Sequence, residues 1–333
     1  MISELARLMG SARLRCVDAG ARGGMPAHWR PFAQLIELDA IEPDPEACRL
    51  QQTAGRPNER WYPVALGGRT GPGTLHVLAK ASSSSLFPPN PAENAQYDFQ
   101  GLGEVVRTAE VPLLSFSDFL DRKQRSAPHL VKLDTQGAEL SILQGLEDRH
   151  WQDVLAVQSE LHFVEFYLGE PLFHDLDAFM RSRGFMLFDF LPVRKYRTNG
   201  VARHFFLKRD LGIARNRHDI SCRITGGDAF YLRPPAQVLA SGDRTAVLRL
   251  MAILLIYRCL DEALWLLQEA AAKGIFSPDD RRVLLGVTQG LAPRALPWQR
   301  TGTIGKWSRK VLRWTGISRR RKAEYWLDRS WDN

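Results

Sequence analysis

The stretch His129-Leu-Val-Lys-Leu-Asp134-Thr-Gln-Gly137-Ala-Glu139-Leu-Ser-Ile-Leu-Gln-Gly145 decides the fold. Its first residues read as a short buried strand that ends on Asp134. A glycine turn follows, and Leu140, Ile142, Leu143 and Leu146 then recur at helical spacing. A carboxylate at the C-terminal end of a buried strand, just before a glycine turn, stands where open α/β sheets bind their ligands. Asp134 is therefore a candidate site residue.

Working outward, strand-like runs at Leu14–Asp18, Leu35–Glu42, Trp61–Leu66, Thr74–Leu78, Val105–Val111, Val154–Leu161, Phe185–Phe190 and His204–Leu207 alternate with helical patterns. Those patterns lie around Pro45–Gln52, Ser115–Arg122, Ala138–Leu146 and Leu172–Arg183. Such alternation implies an α/β fold, a doubly wound, mostly parallel Rossmann-like sheet with right-handed crossovers. The segment Ala81–Gln100, with Ser82 to Ser85 and Pro88, Pro89 and Pro91, has loop composition. So long an insertion in a sheet domain reads as a flap or site wall. The sheet domain is expected over residues 1–233, up to the break at Arg233-Pro234-Pro235. Residues 234–333 read as an additional helical region, apolar at helical spacing from Ala246 to Ala272 and helical again over Pro278–Gly290.

With 44% hydrophobic and 25% charged residues, the composition is that of an ordinary soluble globular protein. The most apolar stretch, Leu250–Tyr257, lies between Arg249 and Arg258 and is far shorter than the roughly 20 residues a spanning helix needs. Cys16, Cys48, Cys222 and Cys259 have neither metal nor redox spacing and read as reduced thiols. Met1–Gly10 carries Glu4 and Arg7 and no apolar run, so a cytoplasmic protein without a metal is expected. The net charge of +8 is carried by Arg294–Asn333, with 11 Lys and Arg against 3 Asp and Glu. Trp307, Trp314, Trp326 and Trp331 accompany the run Arg319–Lys322 there. Peripheral membrane contact through this tail is one reading, since indoles and basic residues favour anionic interfaces. RNA contact and packing on the body are the others.

The first strand ends in Asp18-Ala-Gly20-Ala-Arg22-Gly-Gly24, ahead of a helix predicted from about Ala27. Glycines let the backbone approach a ligand, and a helix N-terminus offers free N–H groups to an anion. The second strand ends at Glu42, a position where an acid accepts hydrogen bonds from a ribose. Asp18, Gly20, Gly24 and Glu42 are thus the cofactor-binding candidates. Asp134, Glu160 and His162, at strand ends that share one rim, are the candidate catalytic groups. Each has a structural alternative: Asp134 as a cap for the helix near Ala138, Glu160 in an ion pair, His162 as a satisfied rim histidine. Glu139 falls on a helix's first turn, where the macrodipole favours an acid regardless of function. The aromatic residues of His162–Tyr167 either wall an acceptor pocket or pack under the next helix.

The pieces Val17-Asp-Ala-Gly-Ala, Ile41-Glu42-Pro43, Val131-Lys-Leu-Asp134-Thr-Gln-Gly137-Ala-Glu139 and Gly184-Phe185 resemble the FkbM-type methyltransferases, class I enzymes that use S-adenosylmethionine. The resemblance covers Leu14 to Leu207 and leaves out the C-terminal third. It implies that the Asp18–Gly24 turn meets the methionine part of the cofactor and that Glu42 holds its ribose. Arg22 and Gln136 depart from the pattern, which usually has a small polar residue and an acid at those places. The resemblance implies an O-methyltransferase acting on a hydroxyl of a saccharide, glycan or related metabolite. An RNA methyltransferase and a non-catalytic scaffold on the same fold are the competing readings, with nucleic acid the lesser expectation as partner.

Overall fold

The computed structural model describes residues 2–96, 103–195 and 223–292. The predicted strand His204–Leu207, Cys222 and the basic, tryptophan-bearing tail from Arg294 lie outside the described residues.

Seven strands form the main sheet among the described residues. They are β1 (Leu14–Ala19), β2 (Ile36–Ile41), β3 (Glu59–Tyr62), β7 (Leu130–Leu133), β8 (Ala156–His162), β9 (Met186–Lys195) and β10 (Ile224–Leu232). A smaller sheet holds β4 (Ala65–Gly67), β5 (Gly71–Leu78) and β6 (Val105–Ser115). The main order is β3-β2-β1-β7-β8-β10-β9. Strands β3, β2, β1, β7 and β8 run parallel, while β10 is antiparallel to both of its neighbours. From β1 the chain builds outward through β2 and β3, then returns to lay β7 on the other side of β1. The switch point of the doubly wound sheet therefore lies between β1 and β7, and the crevice at their C-terminal ends is where such folds bind ligands.

Side chains alternate between the two faces of the sheet. Val17, Ala19, Val131, Leu133, Val157, Leu161, Ala229 and Tyr231 pack in one core with helices α4 (Phe116–Arg122), α5 (Glu139–Gln144) and α7 (Phe173–Ser182). The other face carries Asp18, Lys132, Gln158 and Asp228. There Tyr257 stacks on Phe230 with ring centroids 3.9 Å apart. The Tyr257 hydroxyl donates to Gln158 Oε1 at 2.8 Å and accepts from Trp29 Nε1 at 3.2 Å. Tyr257 directly follows α9 (Arg244–Ile256), so the chain beyond Arg233 is bonded into the sheet.

Local chemistry sets the element ends. Helix α2 (Pro45–Thr53) opens with proline at a position that needs no N–H donor, and Asp44 Oδ1 accepts from Glu46 N at 3.0 Å. Ser115 caps α4 by accepting from Asp118 N at 3.1 Å.

Four expectations need correction. The helix predicted from about Ala27 is a 3₁₀ helix over Arg30–Leu35, because Pro31 inside an α-helix would clash with the Ala27 carbonyl. The run Trp61–Leu66 divides at Pro63 into β3 and β4, which belong to different sheets. The pattern Ala246–Ala272 breaks at Arg258, whose φ of 57° separates α9 from α10 (Leu260–Ala272). The first residues, with no predicted element, form the helix α1 (Ile2–Met9) and bury Leu5 and Met9. No described helix is long and apolar enough to cross a membrane.

Candidate functional site

The ends of β1 and β7 meet at the switch point. Asp134 N donates to Ala19 O at 3.0 Å, and Gly20 N donates to Ile41 O at 2.9 Å. Gly20 has a φ of 83°, and a Cβ there would stand 2.0 Å from Asp134 O. Only glycine fits a turn pressed so closely on a neighbouring strand end.

Strand register places Lys132 opposite Asp18 and, two residues before Asp134, on that residue's face. Lys132 Nζ lies 3.1 Å from Asp18 Oδ1 and 3.6 Å from Asp134 Oδ2. Burial pushes the Asp18 carboxyl up to about 6, against the pull of Lys132. Burial works against the charge of Lys132 as well, but Asp18, Asp134 and Asp228 hold that amine above its ordinary range. Asp18 is thus a buried ion-pair partner beneath the turn.

Glu42 stands just past the end of β2, with its Oε1 accepting from Asp44 N at 3.0 Å. Burial raises its carboxyl above the ordinary value. Its second oxygen takes no protein donor among the described residues. Arg22 pairs with Asp44 at 2.9 Å and reaches within 3.7 Å of Glu42. Gly24, with a φ of 81°, closes the turn against the Gln51 side chain.

Asp134 does not cap α5. Glu139 secures that turn instead, its carboxylate accepting from Thr135 N at 2.6 Å and Gly137 N at 2.9 Å. Asp134 Oδ1 accepts from Gln136 Nε2 at 3.0 Å, and the same nitrogen donates to Glu160 Oε2. The other oxygen of Glu160 accepts from Arg194. Burial, then the charge of Asp134, holds the Glu160 carboxyl up to about 8 despite that partner. His162 Nδ1 is 2.7 Å from Glu170 Oε2, and His162 Nε2 is 4.0 Å from Glu160. Glu170 also accepts from the backbone N–H groups of Phe166 and Tyr167. Three sequence candidates therefore converge, but unequally: the Asp134 side chain is 41% exposed, while those of Glu160 and His162 are 5% and 6% exposed.

The insertion after β5 closes one side. Asn90 N and Asn94 Nδ2 donate to Phe166 O at 2.8 and 3.1 Å, and Ser85 Oγ donates to Gln136 O at 2.5 Å. The Tyr167 hydroxyl lies 2.8 Å from Ser83 O. Ser83 and Ser85 are buried parts of this wall. The aromatic residues that follow β8 pack inward: Tyr167 is fully buried, and the Phe163 ring lies tilted against those of Phe173 and Phe190.

Residues 19–187 match the methyltransferase FkbM domain. The chain belongs to that family. It is 27% identical over 195 residues to the 31-O-demethyl-FK506 methyltransferase FkbM of Streptomyces tacrolimicus, covering 50% of this chain and 71% of the relative. Among solved structures it is similar to a candidate RNA methyltransferase from Pyrococcus horikoshii, at 12% identity and a TM-score of 0.31, over 70% of this chain and 83% of that one. It is also similar to an S-adenosylmethionine-dependent methyltransferase from Agrobacterium tumefaciens, at 10% identity and a TM-score of 0.31, over 70% and 61%. Both superpositions are loose.

In this FkbM-family methyltransferase the sequence alone did not point to Lys132, Glu170, Arg194 and Asp228 as neighbours of the site, nor to the contacts of Gln136. The signal for Lys132 was available, since residues two apart on a strand share a face. Arg194 and Asp228 arrive on β9 and β10, whose pairing no local pattern encodes. Asp18, Asp134, Glu160 and Asp228 gather four carboxyl groups around the two cations Lys132 and Arg194, and burial favours the neutral form of Asp18, Glu160 and Asp228.

Proposed function

We propose that this FkbM-family methyltransferase transfers the methyl group of S-adenosylmethionine to a hydroxyl of a saccharide or related metabolite, with Asp134 as the base. The observation that carries this reading is the placement of Asp134: a 41% exposed carboxylate at the switch point, backed by buried Glu160 and braced by Lys132.

The residues present fit the cofactor. Glu42 has a carboxylate oxygen unclaimed by donors among the described residues at the end of β2, suited to the ribose hydroxyls. The Gly20–Gly24 turn would hold the methionine part. When bound, S-adenosylmethionine supplies an electrophilic methyl group on a sulfonium, so the leaving group needs little help. What remains for the chain is to align the acceptor oxygen, an effect worth roughly 7 kcal/mol or more, and to take its proton. Asp134 Oδ2 can receive that proton beside Lys132, whose charge keeps Asp134 below the usual carboxylate range even though burial acts the other way. Glu160 and His162 are too enclosed to meet an acceptor directly and serve as the wall behind Asp134.

A thermal-shift titration with S-adenosylhomocysteine, using NAD as the comparison, tests the cofactor. At about 100 times its dissociation constant a specific ligand adds roughly 2.7 kcal/mol of stability. A shift with the adenosyl ligand alone is expected. Release of S-adenosylhomocysteine in the presence of a panel of saccharides then tests the acceptor. No shift with the adenosyl ligand, or no turnover with any hydroxyl acceptor, overturns the reading.

A further inference from the structure

Gln136 adopts a left-handed backbone, with a φ of 59°. A residue with a Cβ is strained there and glycine would be the relaxed choice, so the side chain needs a reason to be retained. The backbone of the turn is secured without it. Ser85 Oγ donates to the Gln136 carbonyl at 2.5 Å, and the next residue is a glycine with a φ of 106°. The side chain performs a separate task. Its Nε2 donates one N–H to Asp134 Oδ1 at 3.0 Å and the other to Glu160 Oε2. Its Oε1 lies 3.0 Å from the hydroxyl of fully buried Tyr167, which shares its single proton with Ser83 O. A primary amide is the neutral side chain with two N–H donors on one atom and an acceptor behind them. Two carboxylates on one side and a phenol on the other fix which way it faces.

We infer that Gln136 is a positioning residue for methyl transfer: its amide, held by Tyr167, clamps Asp134 and Glu160 and stabilises the form in which both are ionised. The inference rests on the reading of Asp134 as the base. Lys132 from β7, Asp18 from β1, Arg194 from β9 and Asp228 from β10 face the same pair. Around the end of β8 stand His162, Glu170, Tyr167 and, from α5, Glu139. The cations Lys132 and Arg194 each reach one outer oxygen, Asp134 Oδ2 and Glu160 Oε1. Among the described residues only the amide joins the two inner oxygens, where repulsion between the carboxylates is greatest. Two acids so coupled titrate as a unit, and a proton already held by the pair leaves Asp134 less able to take one from a substrate hydroxyl.

The variant Gln136→Glu keeps the size of the side chain and exchanges the amide for a third carboxyl. The acid limb of its pH–rate profile is expected to move up by about one pH unit or more. Its affinity for S-adenosylhomocysteine at about pH 8 should stay within a few fold of the wild type. Gln136→Gly relaxes the backbone and removes the clamp. It is expected to shift the limb in the same direction and to lower kcat with little change in acceptor KM. A limb that stays in place in both variants overturns the positioning role. The unfolding midpoint reads the clamp without turnover. Relative to the wild type, Gln136→Glu should lose thermal stability as pH rises from about 5.5 to about 8, because the added carboxyl must ionise beside two others. If the wild type transfers no methyl group, the functional reading fails. The midpoint then still decides the clamp, a pH-dependent difference supporting it and a constant one overturning it.

Discussion

Gly20 and Asp134 touch through the backbone: a Cβ on Gly20 would stand 2.0 Å from the Asp134 carbonyl oxygen. The turn that is to receive a cofactor and the strand that delivers the base are thereby set in one geometry. Gly20→Ala adds both a backbone clash and a left-handed residue. It should cost about 2 kcal/mol or more in urea unfolding and weaken S-adenosylhomocysteine binding with it. Stability close to that of the wild type would show that the turn can move off β7.

Glu42 can be tested apart from folding, because among the described residues its side chain takes a single backbone donor, Asp44 N. Glu42→Ala should weaken S-adenosylhomocysteine binding about 10- to 100-fold by calorimetry, the size of a lost charge-assisted pair. A folded variant with unchanged affinity would rule out a role at the ribose.

Asp134→Asn removes the proton acceptor while keeping the side chain's shape. We expect kcat to fall by about 10²- to 10⁴-fold, with acceptor KM within a few fold. A modest loss in kcat would assign the proton to solvent and leave Asp134 an electrostatic role.

His129 makes a prediction about acid stability. It is 2% exposed, and its Nδ1 accepts from Arg15 N at 2.9 Å. Burial, then the charges of Arg15 and Arg249, hold it neutral, its proton affinity lowered from 6.5 to about 2. The unfolded chain takes up a proton below about pH 6.5 that the folded one refuses, so this stability is present above that pH and lost as pH falls. Between about pH 7 and pH 5 the loss should reach about 2 kcal/mol. His129→Asn should flatten that part of the profile in denaturant titrations. An unchanged acid slope would place the loss elsewhere.

Much of the frame was legible. Strand β1 and its glycine turn, Glu42 at the end of β2, Asp134 at the end of β7 and the candidates on β8 follow from periodicity and from the punctuation that glycine and proline supply. What escaped was non-local. No strand was expected over Ile224–Leu232, where Gly226 and Gly227 interrupt the apolar pattern, and nothing there states that β10 inserts between β8 and β9. Arg194 against Glu160 and Asp228 near Lys132 were therefore not foreseen. The role of Gln136 escaped for a similar reason, since its two carboxylates and its phenol come from three separate segments. The missed break at Arg258 is different in kind: apolar spacing carries through it, and only the backbone conformation reverses.

The inserted strand β10 also has a bearing on how this enzyme can be handled. The family match ends at residue 187, whereas β10 pairs with β8 along its whole length, from Ala156 opposite Leu232 to His162 opposite Gly226. A chain cut at the end of that match would leave β8 as a bare border with its backbone donors and acceptors open to any other strand. Molecules truncated in this way would stitch themselves together edge to edge and come out of solution. By covering β8, strand β10 is the seam that keeps this border from fraying into aggregates.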